Sequence, residues 1–167
     1  QAGDVIAGRF VVERVAGVGA MGTVYRCLDR ESGGPAAVKR LGYLTLDHAR
    51  RFEREAWILS ELDHPGIVRY LGHGLTDDGG QFLAMEWLEG EDLSHRLRRE
   101  PLALDDVPAL CRQVAEALGR AHRRGIVHRD IKPANLLLVG GDLRRVKLLD
   151  FGVARFSQPA LDATQSA

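Results

Sequence analysis

The chain has 167 residues, 45% of them hydrophobic, and its 23 basic residues balance 23 acidic ones. A chain of this length buries about two-thirds of its unfolded surface and can form one domain or two small lobes. Because the charges balance, no overall field draws the protein to nucleic acid or to an anionic membrane, and we expect a partner to be recognised at a local site.

The first part of the chain is predicted to form an antiparallel sheet that carries one helix. Between Phe10 and Leu41, three short runs with branched residues are separated by glycine-containing turns, which indicates three consecutive strands. Residues 47–62 repeat apolar side chains at three- and four-residue spacing and predict an amphipathic helix. The runs IVRYLGHGL and QFLAMEWL, joined by TDDGG, predict two further strands.

The second part is predicted to be mainly helical. DLSHRLRRE indicates a short helix, and LDDVPALCRQVAEALGRAHRRG indicates a longer one with acidic residues at its start and basic residues at its end. LLLV and VKLLD, joined by GGDLRR, predict a small hairpin. The boundary between the two parts is placed near residues 88–90.

The stretch GVGAMGTV, residues 17–24, puts glycines at the spacing G-x-G-x-x-G between two predicted strands. Glycine lets the backbone approach a phosphate closely and tolerates positive φ, although a flexible turn fits this pattern equally well. A dinucleotide-binding fold is excluded because its glycines run from a strand into a helix, and the Gly-Lys-Ser/Thr of a nucleoside triphosphatase loop is absent.

Two charged residues follow this turn. Lys39 ends the apolar run AAVK, and a lysine that emerges from a buried strand needs an anion or a carboxylate as partner. Glu55, in the predicted helix, is the candidate carboxylate. Taken alone, the two residues fit a solvated lysine and a surface glutamate better than a functional pair.

The segment VHRDIKPANLLL adds a polar loop between apolar strands. Asp130, Lys132 and Asn135 provide a carboxylate, an ammonium and an amide, which suit accepting a hydroxyl proton, neutralising a phosphoryl group and binding a divalent metal. Asp150 offers a second oxygen ligand, and hard ions such as magnesium prefer oxygen donors.

These motifs, in this order, resemble those of eukaryotic-type protein kinases in the style of the bacterial serine/threonine kinases: the glycine-rich turn, AAVK, Glu55, HRDIKPAN at 128–135 and DFG at 150–152. The resemblance implies an α+β, kinase-like fold. Its N-lobe, residues 1–88, is expected to hold a five-stranded antiparallel sheet with one helix, and residues 89–167 are expected to form part of a mainly α C-lobe, truncated after the DFG motif.

The activity that the resemblance implies is transfer of the γ-phosphate of ATP to serine and threonine hydroxyls of proteins, with Mg²⁺ or Mn²⁺ and no covalent intermediate. IKPAN is typical of the serine/threonine branch. Arg129, before Asp130, is typical of kinases regulated by phosphorylation of the activation segment. Candidate phosphorylation sites are Ser157, Thr164 and Ser166, with Thr164 first, although a solvated hydroxyl explains each equally well.

The catalytic residues implied by the resemblance are Asp130, Lys132, Lys39 and Glu55. Asp130 is expected to accept or steer the hydroxyl proton and Lys132 to lie near the γ-phosphate, while Glu55 orients the phosphate-binding Lys39. Asn135 and Asp150 are the implied metal ligands. The implied ATP-binding residues are Gly17, Val18, Gly19, Gly22, Val24, Ala37, Lys39, Met85, Glu86, Leu88, Asp92, Asn135, Leu137 and Asp150.

Within that set, the glycines are expected to cover the phosphates, and Val24, Ala37 and Leu137 to sandwich the adenine, although ordinary core packing also explains these three. Met85 is expected to guard the pocket. Backbone groups of Glu86 and Leu88 are expected to bind adenine. Asp92 is placed to meet the ribose.

The chain departs from the family after the DFG motif, where the closing Ala-Pro-Glu-like element and the helices that follow it are missing. The apolar face of the long helix is therefore expected to face water unless a missing C-terminal segment or a partner chain covers it. This departure keeps open an alternative, a nucleotide-binding regulatory or scaffolding module of a larger protein that is inactive as this fragment. A small-molecule kinase is a third, less favoured hypothesis.

Cys27 and Cys111 are far apart and lack CxxC spacing, so no disulfide framework or zinc site is predicted and the cytoplasm is the expected compartment. Both cysteines are expected to be buried. No apolar run approaches the roughly 20 residues of a membrane span, and the start lacks the regions of a signal peptide. Because the first residue is not Met, we expect a piece of a longer product.

Overall fold

The computed structural model describes residues 2–19, 22–41, 46–151 and 155–156. In chain order the elements are β1 (Val5–Ile6), β2 (Phe10–Gly19), β3 (Gly22–Asp29), β4 (Pro35–Leu41), α1 (Leu46–Ser60), β5 (Tyr70–Leu75), β6 (Gln81–Glu86), β7 (Gly90–Asp92), α2 (Leu93–Arg99), α3 (Val107–Arg123), β8 (Ile126–Val127), β9 (Leu136–Val139), β10 (Val146–Leu148) and β11 (Arg155–Phe156). A 3-10 turn, Pro133–Asn135, precedes β9.

The six strands from β1 to β6 form one antiparallel sheet in the order β1-β2-β3-β4-β6-β5. Five of these strands, and α1 beside them, are the predicted ones, and the α+β class is confirmed. The sequence did not predict β1, which pairs with the start of β2 through Ile6 and Phe10. Two residues are too short a run to show a period of two.

Alternation along β4 gives the sheet two different faces. Ala36 and Val38 are completely buried on one face, in a cluster that includes Phe10, Cys27 and Phe82. Ala37 and Lys39 point to the opposite face, since successive side chains of a strand alternate. Leu83, which lies opposite Lys39 in β6, is buried in a second cluster together with residues of α1.

This second cluster spans both parts of the chain. It joins α1 to α3, β9, β10 and Phe151, so the sheet and the later elements share one hydrophobic core. The segment after α1 also pairs directly with β10, because Leu148 N donates to Gly66 O at 2.8 Å and Val68 N donates to Leu148 O at 3.0 Å. This core and the pairing hold the polar loop after β8 close to the sheet.

The later part of the chain contains the predicted short helix, α2, the predicted longer helix, α3, and the predicted hairpin of β9 and β10. The strand β7 adds to this hairpin as a third strand. Asp92 caps α2, since its side chain accepts a hydrogen bond from His95 N at 3.0 Å.

Part of the expectation for the long helix is wrong. Leu110, Ala117 and Ala121 on α3 are buried against β8 and β10 of the same chain, so these three residues do not face water. The expectation that both cysteines are buried is also wrong, because Cys27 is buried and Cys111 is exposed. In the described part of the chain, no helix has the length and apolar character needed to cross a membrane.

Candidate active site

The glycine-rich turn connects β2 to β3. Gly17 lies opposite Val24 and Gly19 lies opposite Gly22, while Ala20 and Met21 at the tip are outside the described residues. Gly22 has a φ of +138°, and a Cβ at this position would come within 2.1 Å of the backbone oxygen of Arg40. A Cβ at Gly17 would meet nothing within 4 Å. Gly22 is therefore required by the close approach to β4, whereas Gly17 borders open space.

The strand register brings several predicted ATP-binding residues to one face of the sheet. Val24 in β3 lies opposite Lys39 in β4, and Ala37 lies opposite Met85 in β6. All four side chains are half-buried. Because directly opposed residues share a face, these positions line one surface beside the glycine-rich turn. Val18, on the turn itself, is 80% exposed.

Lys39 and Glu55 form an ion pair between β4 and α1. Lys39 Nζ lies 3.1 Å from Glu55 Oε1 and 3.0 Å from Oε2. Glu55 is buried, and Lys39 also lies over the ring of Phe52, 5.9 Å from its centroid. Burial raises the pKa of Glu55 above its usual value, the charge of Lys39 opposes this shift and the charge of Asp150 adds to it. The predicted lysine-glutamate contact is thus present.

The polar loop after β8 brings Asp130, Lys132 and Asn135 together. Lys132 Nζ donates to Asp130 Oδ2 at 2.6 Å, and Asn135 Nδ2 donates to the same oxygen at 3.1 Å and to Asp130 O at 2.8 Å. The hydrogen bond from Lys132 holds the pKa of Asp130 below its usual value; desolvation opposes this shift and the bond from Asn135 adds to it. Asp130 therefore carries a negative charge at neutral pH and remains 35% exposed.

His128 supports this loop from behind and is 1% exposed. Its Nδ1 accepts from Asp130 N at 3.3 Å, which leaves Nε2 to donate to Leu149 O at 3.1 Å. The His128 ring also packs against Phe151, with 4.7 Å between ring centroids. One histidine thus connects the loop that carries Asp130 to the segment that carries Asp150.

Two residues of the site have a positive φ, a backbone conformation that residues other than glycine rarely adopt. Arg129 has a φ of 68° and Asp150 has a φ of 55°. Such conformations are costly and persist only where the surrounding structure imposes them. Here the buried His128 and Phe151 hold the neighbouring residues.

Asp150 connects the two halves of the site. Its charge raises the pKa of Glu55, and it contributes to the raised pKa of Lys132, for which the hydrogen bond to Asp130 is the first cause. In addition, Leu149 N donates to Asn135 O at 2.9 Å. The charge of Asp150 therefore acts on both the lysine-glutamate pair and the polar loop. Gly152 is outside the described residues.

The predicted adenine contacts Glu86 and Leu88 lie at the end of β6 and just after it. The Glu86 backbone N donates to Arg69 O at 2.9 Å, and its carboxylate accepts hydrogen bonds from Arg69 N and from Lys147 on β10. Leu88 packs on the main core. The sequence did not predict the contact with Lys147, because it depends on the hairpin's position beside the sheet.

Two other predicted nucleotide contacts lie on β7 and β9. The Asp92 carboxylate caps α2 and also contacts the His95 ring, and these hydrogen bonds lower its pKa although burial acts in the opposite direction. Leu137 lies opposite Asp92 in the three-stranded sheet and is half-buried. Asp92 thus already has a structural role at the position predicted to meet a ribose.

The oxygen atoms of the site suit a metal ion that is also bound by phosphate oxygens. Within the described ranges, no group of three or more His, Cys, Asp or Glu side chains could hold a metal ion by itself. Magnesium is usually held by one or two carboxylates together with substrate phosphates. Both hydrogen bonds of Asn135 to Asp130 use Nδ2, so they leave the amide oxygen as a ligand atom. These residues fit such a group.

The two-part fold and this set of side chains define a kinase-like protein. A family model for the protein kinase domain matches residues 10–166, and the chain belongs to that family. It is 38% identical to the serine/threonine-protein kinase pkn3 of Myxococcus xanthus, over 96% of this chain and 30% of that protein. It is 41% identical to the serine/threonine-protein kinase PknJ of Mycobacterium tuberculosis, over 92% of this chain and 27% of that protein.

Comparison with a solved structure confirms the predicted kinase-like fold. The kinase domain of M. tuberculosis PknI superposes with a TM-score of 0.78 at 36% identity, covering 92% of this chain and 61% of that chain. The chain therefore spans about 30% of the length of the curated relatives and about three-fifths of the solved kinase domain.

Proposed function

We propose that the chain supplies the ATP-binding cleft and the phosphate-transfer groups of a serine/threonine protein kinase. The observation that carries the proposal is the buried His128, which connects the loop of Asp130 to the segment of Asp150 through its two hydrogen bonds and its packing on Phe151. In this proposal the ion pair that suits phosphate binding and the loop that suits proton transfer face one cleft. The serine/threonine-protein kinases among the relatives support the same assignment.

In this proposal, residues 1–88 form the N-lobe and residues 89–167 form part of the C-lobe. The nucleotide lies against the sheet face that carries Val24, Ala37 and Met85. The other residues proposed to contact it are Gly17, Val18, Gly19, Gly22, Lys39, Glu86, Leu88, Asp92, Asn135, Leu137 and Asp150.

Lys39 binds phosphate oxygens, and Glu55 fixes the position of the ammonium group through the two contacts near 3 Å. Asn135 and Asp150 hold Mg²⁺ or Mn²⁺. When bound, the ion neutralises phosphate charge. Positioning and neutralisation of charge are the main sources of catalysis in this type of reaction.

Asp130 receives the proton of the attacking serine or threonine hydroxyl. Its lowered pKa keeps the carboxylate ionised at neutral pH, and its exposed fraction leaves it open to a substrate. Lys132, 2.6 Å from this carboxylate, places a positive charge where the transferred group passes. The hydrogen bonds from Asn135 and from Asp130 N to His128 fix the orientation of the loop.

The test uses a protein extended through the C-terminal part that completes the domain in the relatives. With ATP and magnesium, we expect phosphate transfer to the protein itself or to a generic serine/threonine substrate. Asp130→Asn is expected to remove transfer while nucleotide binding, measured by calorimetry, is retained. Absence of transfer by the unaltered protein, or equal transfer by the Asn variant, would contradict the proposal.

Two further parts of the proposal concern regulation and compartment. Phosphorylation of the activation segment is proposed because Arg129 precedes Asp130, and the candidate sites Ser157, Thr164 and Ser166 lie outside the described residues. A reducing, cytoplasmic setting is proposed because Cys27 and Cys111 are free thiols. Burial raises the pKa of Cys27 to about 11, so this thiol stays protonated.

A further inference from the structure

Trp87 lies directly after β6, between the predicted adenine contacts Glu86 and Leu88, and two guanidinium groups lie over its ring. The central guanidinium carbon of Arg14 is 5.3 Å from a ring centroid of Trp87, and that of Arg26 is 5.6 Å away. The indole Nε1 donates to Glu89 Oε1 at 2.6 Å. The ring is therefore fixed through Nε1 by Glu89 of the same segment, and its face contacts two arginines of the sheet.

The two arginines are direct neighbours in the sheet. Arg14 in β2 lies opposite Arg26 in β3, and like charges placed directly opposite destabilise a strand pair. The carboxylate of Glu13 forms an ion pair with Arg26. The face of an indole ring attracts guanidinium groups and provides a second compensation. The like-charged pair is thus tolerated because Trp87 and Glu13 are beside it.

The position of this contact relates it to the nucleotide cleft. The register continues from Arg26 to Ala37 in β4 and on to Met85 in β6, so the arginines extend the row that holds two proposed adenine contacts. Arg14 also lies three residues before Gly17, on the hairpin that ends in the glycine-rich turn. A contact between Trp87 and these arginines therefore joins the segment after β6 to the hairpin that carries the turn.

We propose that Trp87 is a positioning residue for the nucleotide: by stacking with Arg14 and Arg26 it holds the β2-β3 hairpin over the cleft. This inference rests on the proposed function, because it specifies how the nucleotide site is kept in shape. Trp87 does not act on the reacting phosphate. Its loss is expected to change nucleotide affinity and not the chemistry of transfer.

The stack is tested first without nucleotide. The chain has two tryptophans, so Trp57→Phe leaves Trp87 as the single tryptophan, whose emission can be excited selectively. In this background, Arg14→Gln combined with Arg26→Gln is expected to increase quenching of Trp87 by acrylamide, because both groups over the ring are lost. Unchanged quenching would show that the stack is absent in solution and would overturn the proposal. Arg14 is exposed and Arg26 is half-buried, so both changes suit a folded chain.

The second arm measures affinity for ATP and ADP by calorimetry. Trp87→Ala is expected to weaken binding about three- to tenfold, Trp87→Tyr to retain most of the affinity, and Trp57→Phe to leave it unchanged. The double arginine variant is expected to weaken binding to a similar degree, with little further loss when Trp87→Ala is added. Circular dichroism establishes that each variant is folded.

Full affinity in a folded Trp87→Ala variant, or strictly additive losses, would reject the positioning role. If the unaltered chain binds no nucleotide, the proposed function fails, and the inference that rests on it fails with it. If the unaltered chain binds nucleotide and the folded Trp87→Ala variant binds it equally well, only the inference fails.

Discussion

Lys39 and Glu55 contact each other through both carboxylate oxygens of the glutamate, at 3.1 and 3.0 Å, although Glu55 is almost completely buried. The pair joins the central strand β4 to α1, and the charge of Asp150 acts on Glu55. Removing a carboxylate from water is costly, and a single ammonium partner does not fully offset that cost, because the pKa of Glu55 remains raised.

The first prediction concerns the pH dependence of stability. Because the pKa of Glu55 is raised in the folded chain, the folded state binds more protons than the unfolded state above the usual value of 4.5, and stability falls as the pH rises. Glu55→Gln removes this group. Urea unfolding is expected to show the unaltered chain losing stability relative to the Gln variant as the pH rises above 4.5.

Lys39→Met supplies the matched test for this pair. The charge of Lys39 opposes the shift of Glu55, so its removal is expected to steepen the loss of stability with rising pH. A difference between the unaltered chain and Glu55→Gln that stays constant with pH, or that changes in the opposite direction, would contradict the prediction.

The second prediction contrasts two glycines of the turn. Gly22→Ala is expected to lower the free energy of unfolding by at least about 2 kcal/mol, because the residue has positive φ and its Cβ would overlap the Arg40 backbone oxygen. Gly17→Ala meets open space and is expected to change stability by less than about 1 kcal/mol. Chemical denaturation of both variants checks the contrast, and equal stability losses would refute it.

The third prediction concerns the contact between Lys132 and Asp130. The hydrogen bond from Lys132 is the first cause of the lowered pKa of Asp130, so Lys132→Met is expected to raise that pKa toward the usual aspartate value of 3.8. Carboxyl-carbon NMR titration follows Asp130 directly. Asn135→Ala, which removes the second hydrogen-bond donor, is expected to give a smaller shift in the same direction. An unmoved titration in Lys132→Met would show that the contact is not formed in solution.

Motif spacing was sufficient to predict the main contacts of the site because each motif sits on a short, regular element. Lys39 ends a strand and Glu55 lies on the next helix, so their contact follows once the helix packs on the sheet face that carries Lys39. Asp130 and Asn135 are five residues apart in one loop, which restricts how far apart they lie.

Contacts that depend on exact register were not predictable. The irregular pairing of β2 with β3 shifts register between Val12 and Arg14 and again between Val15 and Gly17, and sequence periodicity does not reveal on which face Arg14 emerges. The stack on Trp87 depends on that shift. The burial of Leu110 on α3 was missed for a related reason, because it requires knowing where β8 and β10 lie.

The fourth prediction concerns Asp29, which is completely buried at the end of β3. Arg9 Nε donates to its Oδ1 at 2.6 Å and Arg9 Nη2 donates to its Oδ2 at 2.9 Å, while Ser32 Oγ and Glu31 N donate at 2.8 and 3.1 Å. The hydrogen bond from Arg9 is the main reason that the pKa of Asp29 lies well below its usual value, although burial acts in the opposite direction.

A lowered pKa means that the ionised carboxylate stabilises the fold above the usual aspartate value of 3.8, and that this contribution is lost as the pH falls below that value. Asp29→Asn is expected to cost about 2–3 kcal/mol at pH 7 because it leaves Arg9 without its buried partner. The difference from the unaltered chain is expected to shrink in acid. Denaturation at pH 7 and pH 3 measures it, with the exposed Asp78→Asn as control, which is expected to have little effect. If the two substitutions lower the stability equally, the buried hydrogen bonds of Asp29 do not provide the expected stabilisation and the prediction is wrong.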